Sequence, residues 1–132
     1  MALHTPNQML GAMGSVFTDT ANGTITPPTG KVFIAITILT ADTTFDASGG
    51  LVAERAVVNS TTDATATSTQ TGDIYISTEQ PAHDLADGSE TTDEGSGGLV
   101  VDSVDFPVGI TLYGRWTEID VADGAVVAYI GE

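Results

Sequence analysis

The chain contains no cysteine, which excludes disulfides and every zinc or iron–sulfur site built on thiolates. Basic residues are almost as scarce: only Lys31, Arg55 and Arg115 stand against 18 acidic side chains, giving a formal charge of −15. A surface of that sign repels phosphate and anionic lipid, so neither nucleic acid nor a membrane is an expected partner. No apolar run reaches the length of a membrane span or a secretory core, and residues 1–14 hold His4 but no Lys or Arg, so a soluble, unprocessed chain is expected. Charged residues make up only 16% while hydrophobic ones reach 41%, a balance that favours a packed core over disorder. At 132 residues the chain suffices for one domain and is too short for two ordinary ones.

Val, Ile and Thr dominate the apolar stretches, while the residues that fill ordinary helices are few, and this predicts an all-β fold. The clearest strand is 31–40, with Val32, Ile34, Ile36 and Ile38 on one face and Phe33, Ala35, Thr37 and Leu39 on the other. Both faces are apolar, so a central position is expected; Pro27, Pro28 and Gly30 keep its entry non-helical. Residues 106–131 read as a hairpin closed by the tight-turn pair Asp123-Gly124, with a return strand at 125–130. In its first strand Ile110, Leu112, Gly114 and Trp116 share a face, whereas Ile119 and Val121 have the opposite parity, which predicts a bulge at Thr117 or Glu118.

Shorter strands are expected at 51–58, 73–78 and 99–104. Six to eight short strands in so small a chain predict a single sandwich, jelly-roll or barrel-like domain over residues 24–132, with acidic or Gly-rich loops at 59–72 and 79–98. Residues 1–23 read as an extended N-terminal arm. Leu10, Met13 and Phe17 recur at helical spacing, but Gly11 and Gly14 each cost such a helix about 1 kcal/mol. On the arm reading these three apolar residues are interface candidates; the plainer alternative is a strand or frayed end of the same domain. A short phrase occurs twice, Ser48-Gly49-Gly50-Leu51-Val52 and Ser96-Gly97-Gly98-Leu99-Val100, in both cases as a loop-to-strand entry.

Catalytic signals are poor, and an enzyme is not expected. His4 and His83 are the only imidazoles, and neither accompanies a strand-turn-helix serine motif. Lys31 follows Gly30, yet a phosphate-binding loop would need glycine where Ile25 stands and a hydroxyl where Val32 stands. The pairs Asp102 with Asp105 and Glu118 with Asp120 are explained by solvent-facing positions. Asp84, Asp87, Glu90, Asp93 and Glu94 crowd one Gly-containing stretch and are the calcium candidates, but their order departs from the alternating-acid calcium loop, and a solubilising acidic loop is the stronger reading. No cofactor is expected.

Two adjacent residues stand out. Trp116 is the only tryptophan and is assigned to the core. Arg115 points the other way along the strand and is the fourth interface candidate, with a local salt bridge to an acid such as Glu118 as the alternative.

Three stretches, residues 106–117, 125–131 and 27–36, resemble phrases in small virion structural proteins of tailed phages, marine and cyanobacterial ones in particular. The residues concerned are Phe106-Pro107-Val108-Gly109-Ile110-Thr111-Leu112-Tyr113-Gly114-Arg115-Trp116-Thr117, Ala125-Val126-Val127-Ala128-Tyr129-Ile130-Gly131 and Pro27-Pro28-Thr29-Gly30-Lys31-Val32-Phe33-Ile34-Ala35-Ile36. The resemblance implies a decoration or cement protein on the outer head, a homotrimer that binds the major capsid protein of the virion. A tail, neck or head-fibre component, or a module that binds carbohydrate or the host surface, is the alternative. The resemblance carries no catalytic motif.

Overall fold

The computed structural model describes residues 10–58, 70–73, 75–79, 84–85 and 98–132, of which 55–58, 70–73 and 84–85 are described by their backbone. The described residues are all-β, with no helix among them. In chain order the strands are β1 (Ser15–Asp19), β2 (Val32–Ile38), β3 (Thr44–Phe45), β4 (Leu51–Ala53), β5 (Arg55–Val58), β6 (Gln70–Asp73), β7 (Asp84–Leu85), β8 (Thr111–Ile119), β9 (Val121–Asp123) and β10 (Ala125–Gly131).

Five of them form an antiparallel sheet in the order β1-β10-β2-β8-β4. The expected central strand is central: β2, apolar on both faces, lies between β10 and β8, where both rows of its backbone groups find ladder partners. β3 pairs with β9, and β5, β6 and β7 make a separate antiparallel group. The five-stranded sheet ends at β1 and β4 without closing on itself, so the barrel-like alternative is set aside.

The expected C-terminal hairpin is corrected. β8 and β10 are separated by β2, and Asp123-Gly124 turns the chain from β9, which has left the main sheet for β3, into β10. Gly124 has φ +92°, and a Cβ there would lie 2.3 Å from Thr43 Oγ1 and 2.6 Å from Thr40 Oγ1. The glycine therefore marks a corner packed against the 40–43 turn, where Thr40 Oγ1 accepts the Ala125 amide at 3.0 Å.

The bulge expected near Thr117 is present. Leu51 and Val52 oppose Ile119 and Glu118, but Ala53 opposes Trp116, so Thr117 is the extra residue that lets Trp116 and Ile119 both turn inward. A second irregularity changes the expected faces of β2: Phe33 opposes Ile130 and Ala35 opposes Tyr129, leaving Ile34 as the extra residue. Phe33 thereby joins Ile36 and Ile38 on the inner face. Residues 51–58 are divided at Glu54 into β4 and β5. The strand expected at 73–78 is instead β6, ending at Asp73, followed by irregular backbone at 75–79; the one expected at 99–104 is also irregular, held by the Val101 amide donating to the Ser77 carbonyl at 2.9 Å.

Phe33, Ile36, Ile38, Trp116, Val126, Ala128 and Ile130 line the inner face and pack against Ile25, Phe45, Leu51, Phe106, Ile119 and Val121. Phe45 and Phe106 meet edge to face with centroids 5.6 Å apart. Trp116 is fully buried, as its composition-based assignment expected, and its Nε1 donates to the Ile76 carbonyl at 2.8 Å. The indole lies over Gly114, where a Cβ would come within 2.8 Å of two ring carbons.

Of the expected arm over residues 1–23, Ser15–Asp19 is the edge strand β1, paired in register with β10 from Ser15 opposite Tyr129 to Asp19 opposite Ala125. Leu10, Met13 and Phe17 form no helical stripe: residues 10–13 make a turn closed by the Gly14 amide on the Gly11 carbonyl at 3.1 Å, and Phe17 lies in β1. Residues 1–9 lie outside the described residues.

Candidate functional site

Register assigns the other face of the five-stranded sheet. One row runs Phe17, Val127, Thr37, Thr111 across β1, β10, β2 and β8, and the next runs Ser15, Tyr129, Ala35, Tyr113. Strand spacing makes this platform about 14 Å wide from β1 to β8. It exists because β-branched and aromatic residues occupy both parities of these strands, so burying one set inward leaves an apolar set outward.

Nothing among the described residues packs over its margins. Phe17 is 59% exposed and Tyr113 69% exposed, while Val127 and Tyr129 are half-buried between them. Leu39 and Met13 extend the apolar surface at its rim. The hydroxyls of Thr37 and Thr111, 3.0 Å apart, are bonded to each other. The surface therefore offers hydrophobic contact and two aromatic rings, which suits adhesion.

Of the four interface candidates, Leu10, Met13 and Phe17 fall on or beside this face: Leu10 is half-buried in the 10–13 turn, and Met13 and Phe17 are exposed. Arg115 has the parity of Tyr113, on the side of β8 opposite Trp116, and is engaged within the chain. Its Nε donates to Glu54 Oε2 and its Nη1 to the Glu132 carbonyl, so the carboxylate partner is Glu54 and not Glu118. The hydrogen bond that Arg115 donates to Glu54 holds the guanidinium above the usual arginine range, against a smaller opposing effect of burial. Lys31 Nζ lies 2.9 Å from Glu132 Oε1, and this bond holds the Glu132 carboxyl below the usual carboxylate range. Glu118 lies beside Gly49, whose amide donates to Glu79 Oε1 at 2.9 Å, and Asp120 accepts the Thr24 hydroxyl at 2.9 Å.

The calcium candidates are not assembled into a site that can be described: Asp84 is in β7, and Asp87, Glu90, Asp93 and Glu94 lie outside the described residues, as do His4 and His83. Among the described residues no group of three or more His, Asp or Glu side chains is placed to hold a metal ion.

Sequence reasoning did not single out Tyr113. The signal was available, because Tyr113 has the opposite parity to Leu112 and Trp116, which pack inward on its side of the Thr117 bulge. Tyr75 is half-buried against the core. No protein-family model, curated protein or solved structure matches the chain.

Proposed function

We propose that this protein is a capsid decoration or cement protein of a tailed phage, attached to the outer head by the Phe17–Tyr113 face of its main sheet and catalysing no reaction. The observation that carries the adhesive reading is the exposure of Phe17 and Tyr113 on one apolar sheet face. The resemblance of β2, β8 and β10 to small virion proteins supplies the setting. A charge of −15 suits the outside of a shell, because it keeps many copies soluble and away from packaged nucleic acid. A trimer at a shell symmetry axis, contacting the major capsid protein through each copy, would gain avidity without strong single contacts.

The same two rings favour one second reading, a carbohydrate- or host-surface-binding module, because flat exposed aromatics stack on sugars. Quantitative mass spectrometry of purified particles separates these readings. Decoration requires a copy number commensurate with the major capsid protein. A handful of copies per particle points to the tail, neck or a head fibre, and absence from particles together with retention on a glycan array points to the sugar-binding module.

A further inference from the structure

The two edges of the five-stranded sheet differ. At β4 the Thr78 amide donates to the Leu51 carbonyl at 3.0 Å and the Leu51 amide donates to Thr78 Oγ1 at 3.1 Å, so the chain closes this edge itself. At β1 the Ile130 amide donates to the Gly14 carbonyl at 2.9 Å, which turns the backbone groups of Gly14, Val16 and Thr18 toward β10 and those of Ser15, Phe17 and Asp19 away. The Asp19 carbonyl accepts the Asn22 amide, whereas the outward N–H and C=O of Ser15 and Phe17 have no partner among the described residues. Ser15–Asp19 also lacks the usual guards of a free edge, having no lysine, no proline and no bulge. A groove of about 320 Å³, lined by Phe17, Thr18, Asp19, Ala21 and Asn22, runs beside it.

Charge selects the occupant. Lys31 is paired with Glu132 and Arg115 with Glu54, so these two cations are spent on the chain's own acids and the net field stays negative. A second copy would bring a net −15 against a net −15, whereas a segment bearing lysine or arginine is attracted by the chain's net charge. We propose that the β1 edge receives, as a sixth strand of the sheet, an extended segment of a shell subunit that is apolar where it meets Phe17 and basic at its alternate positions. Main-chain bonds to Ser15 and Phe17 supply affinity, and the groove beside Phe17 supplies side-chain selection. The proposal rests on the shell-attachment reading.

The test compares Phe17→Pro with Phe17→Ala in the full chain, measuring binding to purified tailed-phage heads stripped of this protein. Both variants lose the ring. Only proline loses the outward N–H, and it does so at a position whose amide does not serve the β1–β10 ladder, so matched melting curves are expected for the two. Strand addition predicts that proline binds about tenfold more weakly than alanine. In the unmodified protein, exchange of the Ser15 and Phe17 amides should slow by about tenfold or more on the heads. Equal binding by the two variants, with unchanged exchange at both amides, would overturn strand addition while leaving shell attachment intact. Failure of the unmodified protein to bind heads would overturn both. Self-association of the free protein that proline abolishes and alanine preserves would assign the edge to a second copy and overturn the basic partner.

Discussion

The two faces of the main sheet are built from similar residues and have opposite fates. Inward, Phe33, Ile36, Ile38, Trp116 and Val126 are covered by Phe45, Phe106, Leu51 and the irregular segments 75–79 and 99–104. Outward, Val127 and Tyr129 are half-buried, with the 10–13 turn beside the Tyr129 ring, and Phe17 and Tyr113 at either side stand in solvent. Composition cannot distinguish the faces, because valine, isoleucine, phenylalanine and tyrosine suit both. Parity, the register shifts between strands and the paths of the connecting segments decide which set is buried. An open apolar face carries a cost in solubility, which high net charge of one sign, here −15, offsets.

The contrast breaks most visibly from the inside. Trp116→Ala should lower stability by about 3–5 kcal/mol in denaturant titration, because it empties a fully buried site and orphans the Ile76 carbonyl. Loss below about 1 kcal/mol would show that the inner face is not the core. The repeated Ser-Gly-Gly-Leu-Val phrase gives a sharper pair. Leu51 is fully buried in β4, while Leu99 is 86% exposed, so Leu51→Ala should cost about 2–4 kcal/mol and Leu99→Ala under about 0.5 kcal/mol. Equal costs would mean that the two copies are equivalent after all.

On the outer face the double variant Phe17→Ser with Tyr113→Ser should change stability by no more than about 1 kcal/mol, since each ring is mostly solvated already, yet it should weaken attachment to the particle strongly. A large fall in melting temperature with attachment intact would move these rings into the core. The smallest effect lies at the end of the β2–β10 ladder. Glu132 titrates below its ordinary value of 4.5 because Lys31 stabilises the charged form. Its contribution is therefore present above pH 4.5 and is lost as the pH falls through the lowered folded value. Glu132 is fully exposed, so the melting curve should barely respond; carboxyl-carbon NMR should instead show Glu132 titrating at higher pH in Lys31→Ala than in the parent.

How far the fold was legible follows from these particulars. β2 was readable because its apolar character on both faces permits only a central place, and the Thr117 bulge because Trp116 and Ile119 differ in parity yet both need burial. The partnership of β8 with β10 was misread, since Asp-Gly marks a sharp turn without stating whether the flanking strands pair. Here it serves a corner where Thr40 and Thr43 leave no room for a side chain. The second Ser-Gly-Gly entry shows the same limit. Gly50 is imposed by Asp46, whose carbonyl oxygen lies 1.9 Å from where a Cβ would stand, and so it leads into β4, whereas Gly98 leads into irregular backbone. Such close approaches come from distant parts of the chain and leave no local signature. For the candidate surface, Phe17 was singled out by sequence and Tyr113 was not, because an aromatic in a strand suits either face until its neighbours are known.

The most direct test of the central claim, the proposal that the apolar outer face is an attachment surface, is a near-atomic cryo-electron microscopy reconstruction of tailed-phage heads incubated with the protein. Phe17 and Tyr113 should lie in density shared with the shell, with Trp116 sealed within the subunit. A reconstruction in which both rings face solvent while the subunit touches the shell through β3, β9 or the 120–124 corner would contradict the account.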